Sequence, residues 1–178
     1  MTHYAIFETT LGHAALVWGD LGLVGVRLPA STPERARAEV FRRFSDAAEA
    51  PPPPGIAGIA EAVADLLAGG RPDLSGAALD LARVPAFNAK VYEIARAIPA
   101  GETLTYGEIA IRLGDRLLAR DVGRALGENP WPIVVPCHRV TAAGGRLGGF
   151  SAPGGAATKA RLLEIEGAAV VAQTSLFA

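Results

Sequence analysis

The hydrophobic pattern changes character once along the chain, and this change limits the possible folds more than any other feature. Residues 3–29 contain three short apolar or alternating runs, HYAIFET, HAALVW and GLVGVRLP, separated by the turn sequences TLG and GDLG. From Ala86 the apolar residues instead recur at helical spacing, as in AFNAKVYEIARAI. The pattern predicts an amino-terminal β meander followed by a mostly helical part.

Between these two parts lie runs that could complete the first one. TPERARAEVFRRF, with Thr32 as cap and Pro33 at the first helical position, predicts a helix. After the prolines of Pro51–Pro54, IAGIAEAVADLLAGG predicts a second helix and AALDLARVP a strand. These runs need the apolar face of the meander to pack against. We therefore expect an α/β domain over residues 1–84 and a second domain over residues 85–178.

Within the second part, two short helices joined by a tight turn are predicted. TYGEIAIRLG opens with Thr105 three residues before Glu108, which is a capping box, and ends at Gly114. LLARDVGRALGEN follows and carries Arg120 and Arg124. The pair has the form of a helix-turn-helix, but this stretch alone favours a helical hairpin with solvated arginines.

Composition excludes several classes of protein. Of the 178 residues, 50% are apolar and 20% are charged, which is typical of a globular protein with one domain or two small ones. The net charge of −1 argues against a cationic surface, so any DNA contact should be local. One cysteine and three histidines exclude an intramolecular disulfide and a cysteine-rich zinc site, and we expect no metal and no cofactor. The first residues lack a signal-peptide pattern, which favours a cytoplasmic protein without a membrane segment.

That single cysteine, Cys137, lies in VVPCHRV and is followed directly by His138. A thiol is mostly protonated at neutral pH and needs a base or a positive site to become a nucleophile. Adjacent side chains of an extended segment point in opposite directions, so the sequence does not require a direct contact between the two groups and leaves a water bridge as the alternative. Glu166, at the end of the predicted helix ATKARLLEIEG, could orient the imidazole. From composition alone, an inert core thiol is the alternative.

Residues 86 to about 167 resemble the O6-alkylguanine-DNA alkyltransferases, also called methylated-DNA–protein-cysteine methyltransferases. The motifs that carry the resemblance are IPAGETLTYGEIA, ARDVGRALGENPWPIVVPCHRV and GGFSAPGG followed by K and LLEIEG. The order and spacing of ENPWPI and PCHRV are highly specific. The resemblance implies a ribonuclease-H-like β meander with helices in the amino-terminal domain. It also implies a mostly α-helical, winged-helix-like catalytic domain that contains the helix-turn-helix.

The resemblance assigns a catalytic role to each matching residue. Cys137 is implied to be the alkyl acceptor, His138 its water-mediated base and Glu166 the carboxylate that orients the base. Tyr106 is implied to help the target nucleotide rotate and the guanine depart. Asn129 is implied to brace the turn before the cysteine segment.

The same resemblance implies that the helix after the turn enters the minor groove of DNA. Arg120 then fills the space of the extruded base, while the small residues Ala119 and Gly123 allow close approach of the backbone. Arg124 is the further DNA-binding candidate on this helix. Four residues are assigned to the substrate pocket: Val140, Phe150, Ser151 and Lys159. For Lys159, a solvated helix lysine is an equal alternative.

The implied activity is DNA repair by direct reversal in double-stranded DNA. The alkyl group on guanine O6 faces the helix interior, so the base must flip out before Cys137 can attack it. No second nucleophile or metal that could cleave the resulting thioether is evident, which predicts one turnover per molecule. We expect the protein to act as a monomer. One alternative is an alkyltransferase-like lesion sensor, although those proteins lack the cysteine. Another is a thiol hydrolase, which would need an oxyanion hole.

Three positions depart from the family pattern. Phe150 occupies a position where tyrosine is common, and the FSAPGG loop is about two residues longer than its commonest form. Both departures predict an altered pocket shape. Asp121 directly follows Arg120 and brings a negative charge close to a polyanion.

Overall fold

The amino-terminal meander predicted from the sequence is present. The structure is a computed structural model that describes residues 1–169. Its main sheet has the strand order β3-β2-β1-β4. The strands are β1 (His3–Thr9), β2 (Gly12–Gly19), β3 (Gly22–Ala30) and β4 (Ala48–Glu49). The first three form an antiparallel meander, and the short β4 pairs in parallel with β1.

Both faces of this sheet are covered, which explains why β2 is buried along most of its length. Side chains alternate between the two faces of a strand. Ala15 and Val17 pack with Val40 of helix α1 (Pro33–Phe41). Leu16 and Trp18 face the main core, to which helix α2 (Pro54–Leu67) contributes Val63, Leu66 and Leu67. The two predicted helices of the amino-terminal part are therefore confirmed, and each covers one face of the sheet.

The strand predicted for AALDLARVP is wrong, because only a single bridge forms there, between Leu23 and Leu79. Leu23 N donates to Ala78 O at 2.9 Å, and Asp80 N donates to Leu23 O at 2.8 Å. The Asp80 side chain then accepts from Ala82 N at 3.0 Å. A side-chain acceptor of this kind turns the backbone away from the sheet. The alternating pattern was real, but Asp80 ended the pairing after one residue.

The second part is helical, as predicted. Its helices are α3 (Ala86–Arg96), α4 (Tyr106–Arg112), α5 (Ala119–Gly127) and α6 (Gly155–Ile165). Two short strands, β5 (Leu104–Thr105) and β6 (Val140–Thr141), pair in parallel. The predicted capping box is present at the start of α4, where Glu108 N donates to Thr105 Oγ1 at 3.1 Å and Thr105 N donates to Glu108 Oε2 at 2.6 Å. This cap fixes where α4 begins.

One buried contact region joins the sheet to the helical part. Trp131 is almost fully buried, and its indole Nε1 donates to Leu23 O at 2.9 Å. Next to it, Val26 N donates to Pro130 O at 2.8 Å. The edge strand β3 thus holds the segment that follows α5. The domain boundary between residues 84 and 85 stays a prediction. Within residues 1–169 no helix combines the length and apolar character needed to cross a membrane.

Candidate active site

Asn129 holds the turn that leads from α5 to Cys137. Its Oδ1 accepts from Trp131 N at 2.9 Å, and its Nδ2 donates to Val135 O at 2.9 Å. Inside this turn Ile133 has a φ of 76°. A β-branched residue rarely adopts this left-handed conformation, so the surrounding contacts must impose it. The cysteine segment is therefore tightly constrained before it reaches the thiol.

Cys137, His138 and Arg139 form one 3₁₀ turn, which corrects the extended segment assumed from the sequence. Cys137 is buried, and burial raises the pKa of its thiol above the ordinary value. The hydrogen bond from Asn129 and the charge of Lys159 act in the opposite direction. Since burial dominates, the thiol is protonated in the resting protein and needs a base to react.

The structure brings together His138 and Glu166, the predicted base and the carboxylate predicted to orient it. His138 Nε2 is 2.8 Å from Glu166 Oε1, and both side chains are buried. The same carboxylate is gripped by Arg139, whose Nη2 donates to Oε1 at 2.7 Å and whose Nε donates to Oε2 at 3.0 Å. Glu166 is the C-cap residue of α6, so the end of this helix brings the carboxylate under the cysteine turn.

The protonation states of this cluster follow from burial and charge. Burial opposes ionisation of Glu166, but the hydrogen bonds and charges of His138 and Arg139 outweigh it and lower the pKa of Glu166 to about 2. Burial lowers the pKa of His138, although Glu166 pulls it upward. A neutral His138 then donates Nε2–H to the carboxylate and carries its lone pair on Nδ1. This Nδ1 is buried and has no hydrogen-bond partner among the described residues.

On its other side Cys137 faces a cleft of about 640 Å³ between α5 and the loop that precedes α6. The lining is mostly apolar side chain and glycine backbone, which is typical of a pocket for a small, mainly apolar group. The residues that line it are Tyr106, Ala119, Arg120, Gly123, Leu126, Gly127, Cys137, Gly149, Phe150 and Ser151. Two predicted pocket residues lie outside this lining: Val140, buried in β6, and Lys159, behind Tyr106.

Lys159 is completely buried, so the alternative of a solvated helix lysine is wrong. Its Nζ donates to Gly149 O at 3.2 Å and to Tyr106 Oη at 3.3 Å. Burial lowers the pKa of Lys159 to about 8, and burial also raises the pKa of Tyr106. By donating to both groups, Lys159 connects the Tyr106 hydroxyl to the glycine-rich loop at Gly149, at the edge of the cleft.

Helix α5 presents its small residues to the cleft and its charges to solvent. Ala119 and Gly123, one turn apart, line the cleft, while Arg120 is exposed at its rim. Asp121 Oδ1 lies 3.8 Å from Arg124 Nη1, and both side chains are largely exposed. This is a weak i,i+3 ion pair on the helix surface.

Arg139 is the site residue that the sequence reasoning did not single out. It lies in the mostly apolar run VVPCHRV, and the structure buries it against Glu166. A charged side chain needs an oppositely charged partner once it is buried, so an arginine in an apolar run was the sequence feature that could have indicated a buried ion pair. For metals, residues 1–169 contain no cluster of three or more histidine, cysteine, aspartate or glutamate side chains that could bind an ion.

Comparison with known proteins agrees with this geometry. Residues 86–168 match the family described as "6-O-methylguanine DNA methyltransferase, DNA binding domain". The methylated-DNA–protein-cysteine methyltransferase of Mycobacterium tuberculosis is 34% identical over 177 residues, which covers 99% of each chain. The protein of the same name from Methanothermobacter thermautotrophicus is 34% identical and covers 89% of this chain and 81% of the relative. This chain belongs to the methylated-DNA–protein-cysteine methyltransferases.

Solved structures extend the agreement to the whole fold of this methyltransferase. The M. tuberculosis O6-methylguanine methyltransferase superposes with a TM-score of 0.73 at 34% identity, covering 100% of both chains. M. tuberculosis OGT in complex with DNA gives a TM-score of 0.71 at 33% identity over 92% of both chains. The enzyme of Pyrococcus kodakaraensis gives 0.72 at 27% identity, over 94% of this chain and 99% of that one.

Proposed function

We propose that this methyltransferase repairs double-stranded DNA by moving an alkyl group from guanine O6 to Cys137 Sγ, irreversibly and once per molecule. One observation carries the proposal. A buried thiol forms the floor of a mostly apolar cleft and is followed in the chain by a histidine whose Nε2 is 2.8 Å from a buried carboxylate. The names of the relatives and the DNA complex of M. tuberculosis OGT support DNA as the substrate.

The chemical step is a displacement at the alkyl carbon. His138 Nδ1 receives the proton of Cys137 through one water. Glu166 accepts the hydrogen bond that His138 donates from Nε2–H, and its charge stabilises the imidazolium that forms. The S–C bond forms as the C–O6 bond breaks, and the electron pair of that bond stays with guanine. Tyr106 donates a proton to the departing guanine. Its hydroxyl lies at the edge of the cleft, where Oη accepts from Lys159 Nζ at 3.3 Å and donates to Gly149 O in a long hydrogen bond of 3.3 Å, which it exchanges for a bond to the guanine.

The base must leave the stack before this displacement. We place α5 in the minor groove, with Ala119 and Gly123 against its floor and Arg120 filling the gap in the stack. Arg124 lies on the exposed side of α5, where it can contact phosphates. Phe150 and Ser151 then close the pocket around the flipped base. The position of Arg120 at the rim of the cleft that holds Cys137 supports this orientation.

Three further proposals concern the whole molecule. The amino-terminal sheet with its helices is ribonuclease-H-like, and the part with the helix-turn-helix is winged-helix-like, with the boundary between residues 84 and 85. The protein acts as a monomer in the cytoplasm. The protein keeps a single S-alkyl group, because the thioether that forms is a stable bond.

Intact-mass measurement tests the proposal directly. After incubation with a duplex that contains O6-methylguanine, we expect the protein to gain the mass of one methylene group, on the peptide with Cys137 only. Each molecule should accept one group, and Cys137→Ala should accept none. Binding of the lesion without any mass gain would replace the proposal with a lesion sensor. Release of many product molecules per protein would indicate a hydrolase.

A second prediction concerns the charge of Asp121. Replacing Asp121 with alanine should tighten duplex binding a few-fold, because the carboxylate repels phosphates and Arg124 offsets only part of that repulsion. The gain should shrink as salt rises, since exposed charges are screened over about 10 Å at 0.1 M salt. Fluorescence anisotropy at several salt concentrations measures it, and Asp121→Asn, which keeps the size, should behave alike. If Asp121→Ala leaves DNA affinity unchanged and lowers stability by a few tenths of a kcal/mol, the residue is only a helix ion pair.

A further inference from the structure

The guanidinium of Arg139 donates hydrogen bonds to one carboxylate, that of Glu166, and to one backbone carbonyl, that of Ile98. Its Nε donates to Glu166 Oε2 at 3.0 Å, and its Nη2 donates to Oε1 at 2.7 Å. Nη1 turns the other way and donates to Ile98 O at 2.6 Å. A planar fork that binds both carboxylate oxygens fixes the plane of the carboxylate as well as its position.

This fixed plane matters because Glu166 Oε1 has a second donor. His138 Nε2 lies 2.8 Å from the same oxygen that Arg139 Nη2 contacts. One hydrogen bond from a histidine would leave the carboxylate free to rotate about its Cγ–Cδ bond. With the fork in place, Oε1 stays directed at Nε2, and the histidine keeps the tautomer with a free Nδ1.

The main chain of Glu166 is held separately, by a residue of the amino-terminal part. Arg71, which follows α2, donates from Nη2 to Glu166 O at 2.9 Å. Its Nη1 donates to Ala100 O, in the turn before β5. Arg71 therefore connects the end of α6 to the segment after α2 and to the turn before β5. Different arginines position the two parts of Glu166: Arg139 its side chain and Arg71 its backbone.

We propose that Arg139 is the positioning residue of the base relay, because it fixes the plane and the charge of Glu166 so that His138 Nδ1 is free for the Cys137 proton. Arg71 contributes by holding the backbone of the same glutamate. The inference rests on the proposed function, in which His138 receives that proton.

The charges around Glu166 determine in which direction the pH dependence of alkyl transfer should move when Arg139 is replaced. The cationic groups that face it are His138 and Arg139 at its carboxylate and Arg71 at its carbonyl, while Lys159 of α6 acts on His138. Removing Arg139 should raise the pKa of Glu166 from about 2 and also raise the pKa of His138, which Arg139 holds down. With both pKa values raised, His138 and Glu166 become protonated at a higher pH than in the wild type, and protonated His138 cannot accept the Cys137 proton. Activity should then be lost from the acid side.

The test is the single-turnover rate of alkyl transfer from a saturating O6-methylguanine duplex, measured from about pH 5 to about pH 8. Arg139→Met should lower the rate at least roughly ten-fold near pH 6 and recover part of the loss as pH rises. Arg139→Lys keeps the cation without the fork, so it should lose only a few-fold and keep the wild-type pH profile. Arg71→Ala should also lower the rate a few-fold without moving the profile.

Several outcomes would overturn the inference. These are a uniform loss at every pH in Arg139→Met, a shifted acid limb in Arg139→Lys, or an unchanged rate in Arg139→Lys. Should Arg139→Met fail to fold, the lysine variant decides the matter, together with ¹⁵N NMR of its His138 ring, in which loss of the fork should lower the fraction of protein that carries the hydrogen on Nε2. A wild-type protein that forms no alkyl adduct would contradict the proposed function instead, and that result is read before any variant is compared.

Discussion

Replacing Glu166 with glutamine is expected to slow alkyl transfer to Cys137 by roughly a hundred-fold, because a positioned general base contributes about 10²- to 10⁴-fold. The thiol is buried and its pKa is raised, so in the proposed mechanism it depends on His138 for activation. An amide in place of the carboxylate can still accept a hydrogen bond, but it cannot stabilise an imidazolium by charge. The measurement is the single-turnover rate with duplex DNA, combined with a binding titration that should show nearly unchanged affinity.

Glu164→Gln is the matched control for this variant. Glu164 lies on the same helix, is exposed and pairs with Arg161 at 2.9 Å, so its loss should leave the rate unchanged. Glu166→Gln also leaves the buried Arg139 without its counter-charge, and breaking such a pair costs about 3–5 kcal/mol. Rates must therefore be compared well below the unfolding temperature of the variant. Equal losses in rate and in DNA affinity would show that Glu166 has a structural role only.

Replacing Arg120 with alanine is expected to reduce transfer from duplex DNA by about ten- to a hundred-fold, because unstacking a base costs a few kcal/mol and the side chain offsets part of that cost. Transfer from free O6-benzylguanine should stay within about two-fold of the wild-type rate, since this substrate needs no flipping. The two rates are measured side by side, with mass spectrometry of the Cys137 peptide as the readout.

Arg124→Ala serves as the control for a general loss of positive charge. It removes one cation from the same helix, so it should weaken duplex binding and its salt dependence while sparing the rate at saturating DNA. An Arg120→Ala variant that is impaired equally with both substrates would contradict the role of Arg120 in base flipping. In that case the exposed position of Arg120 at the rim of the cleft would reflect a contact with the base itself.

Features set by neighbouring residues were predictable from the sequence. The capping box of Thr105 and Glu108 formed as expected, because its two hydrogen bonds join residues only three positions apart. The meander strands and the cap at Thr32 are local in the same sense. Prediction failed at AALDLARVP, where alternation indicated a strand. Whether this segment became a strand depended on how much of β3 was available for pairing and on the turn made by Asp80, so only the Leu23–Leu79 bridge formed.

The identity of the candidate nucleophile was also within reach of the sequence. Cys137 is the only cysteine, and the order of ENPWPI and PCHRV carried the resemblance that the comparisons then confirmed for the family. The resemblance also named His138 and Glu166 as partners. Their 2.8 Å separation could not be read from the sequence, since they are 28 positions apart.

What the sequence determined by itself is therefore the local structure and the kind of chemistry: strand periods, helix caps and a thiol followed by a histidine. Only the tertiary structure decided the environments. Packing of α6 under the cysteine turn buried Lys159 behind Tyr106 and closed Arg139 onto Glu166. Burial then raised the pKa of the thiol and lowered that of the lysine. Desolvation depends on every element that surrounds a group, and those elements come from distant parts of the chain, so no local pattern encodes it.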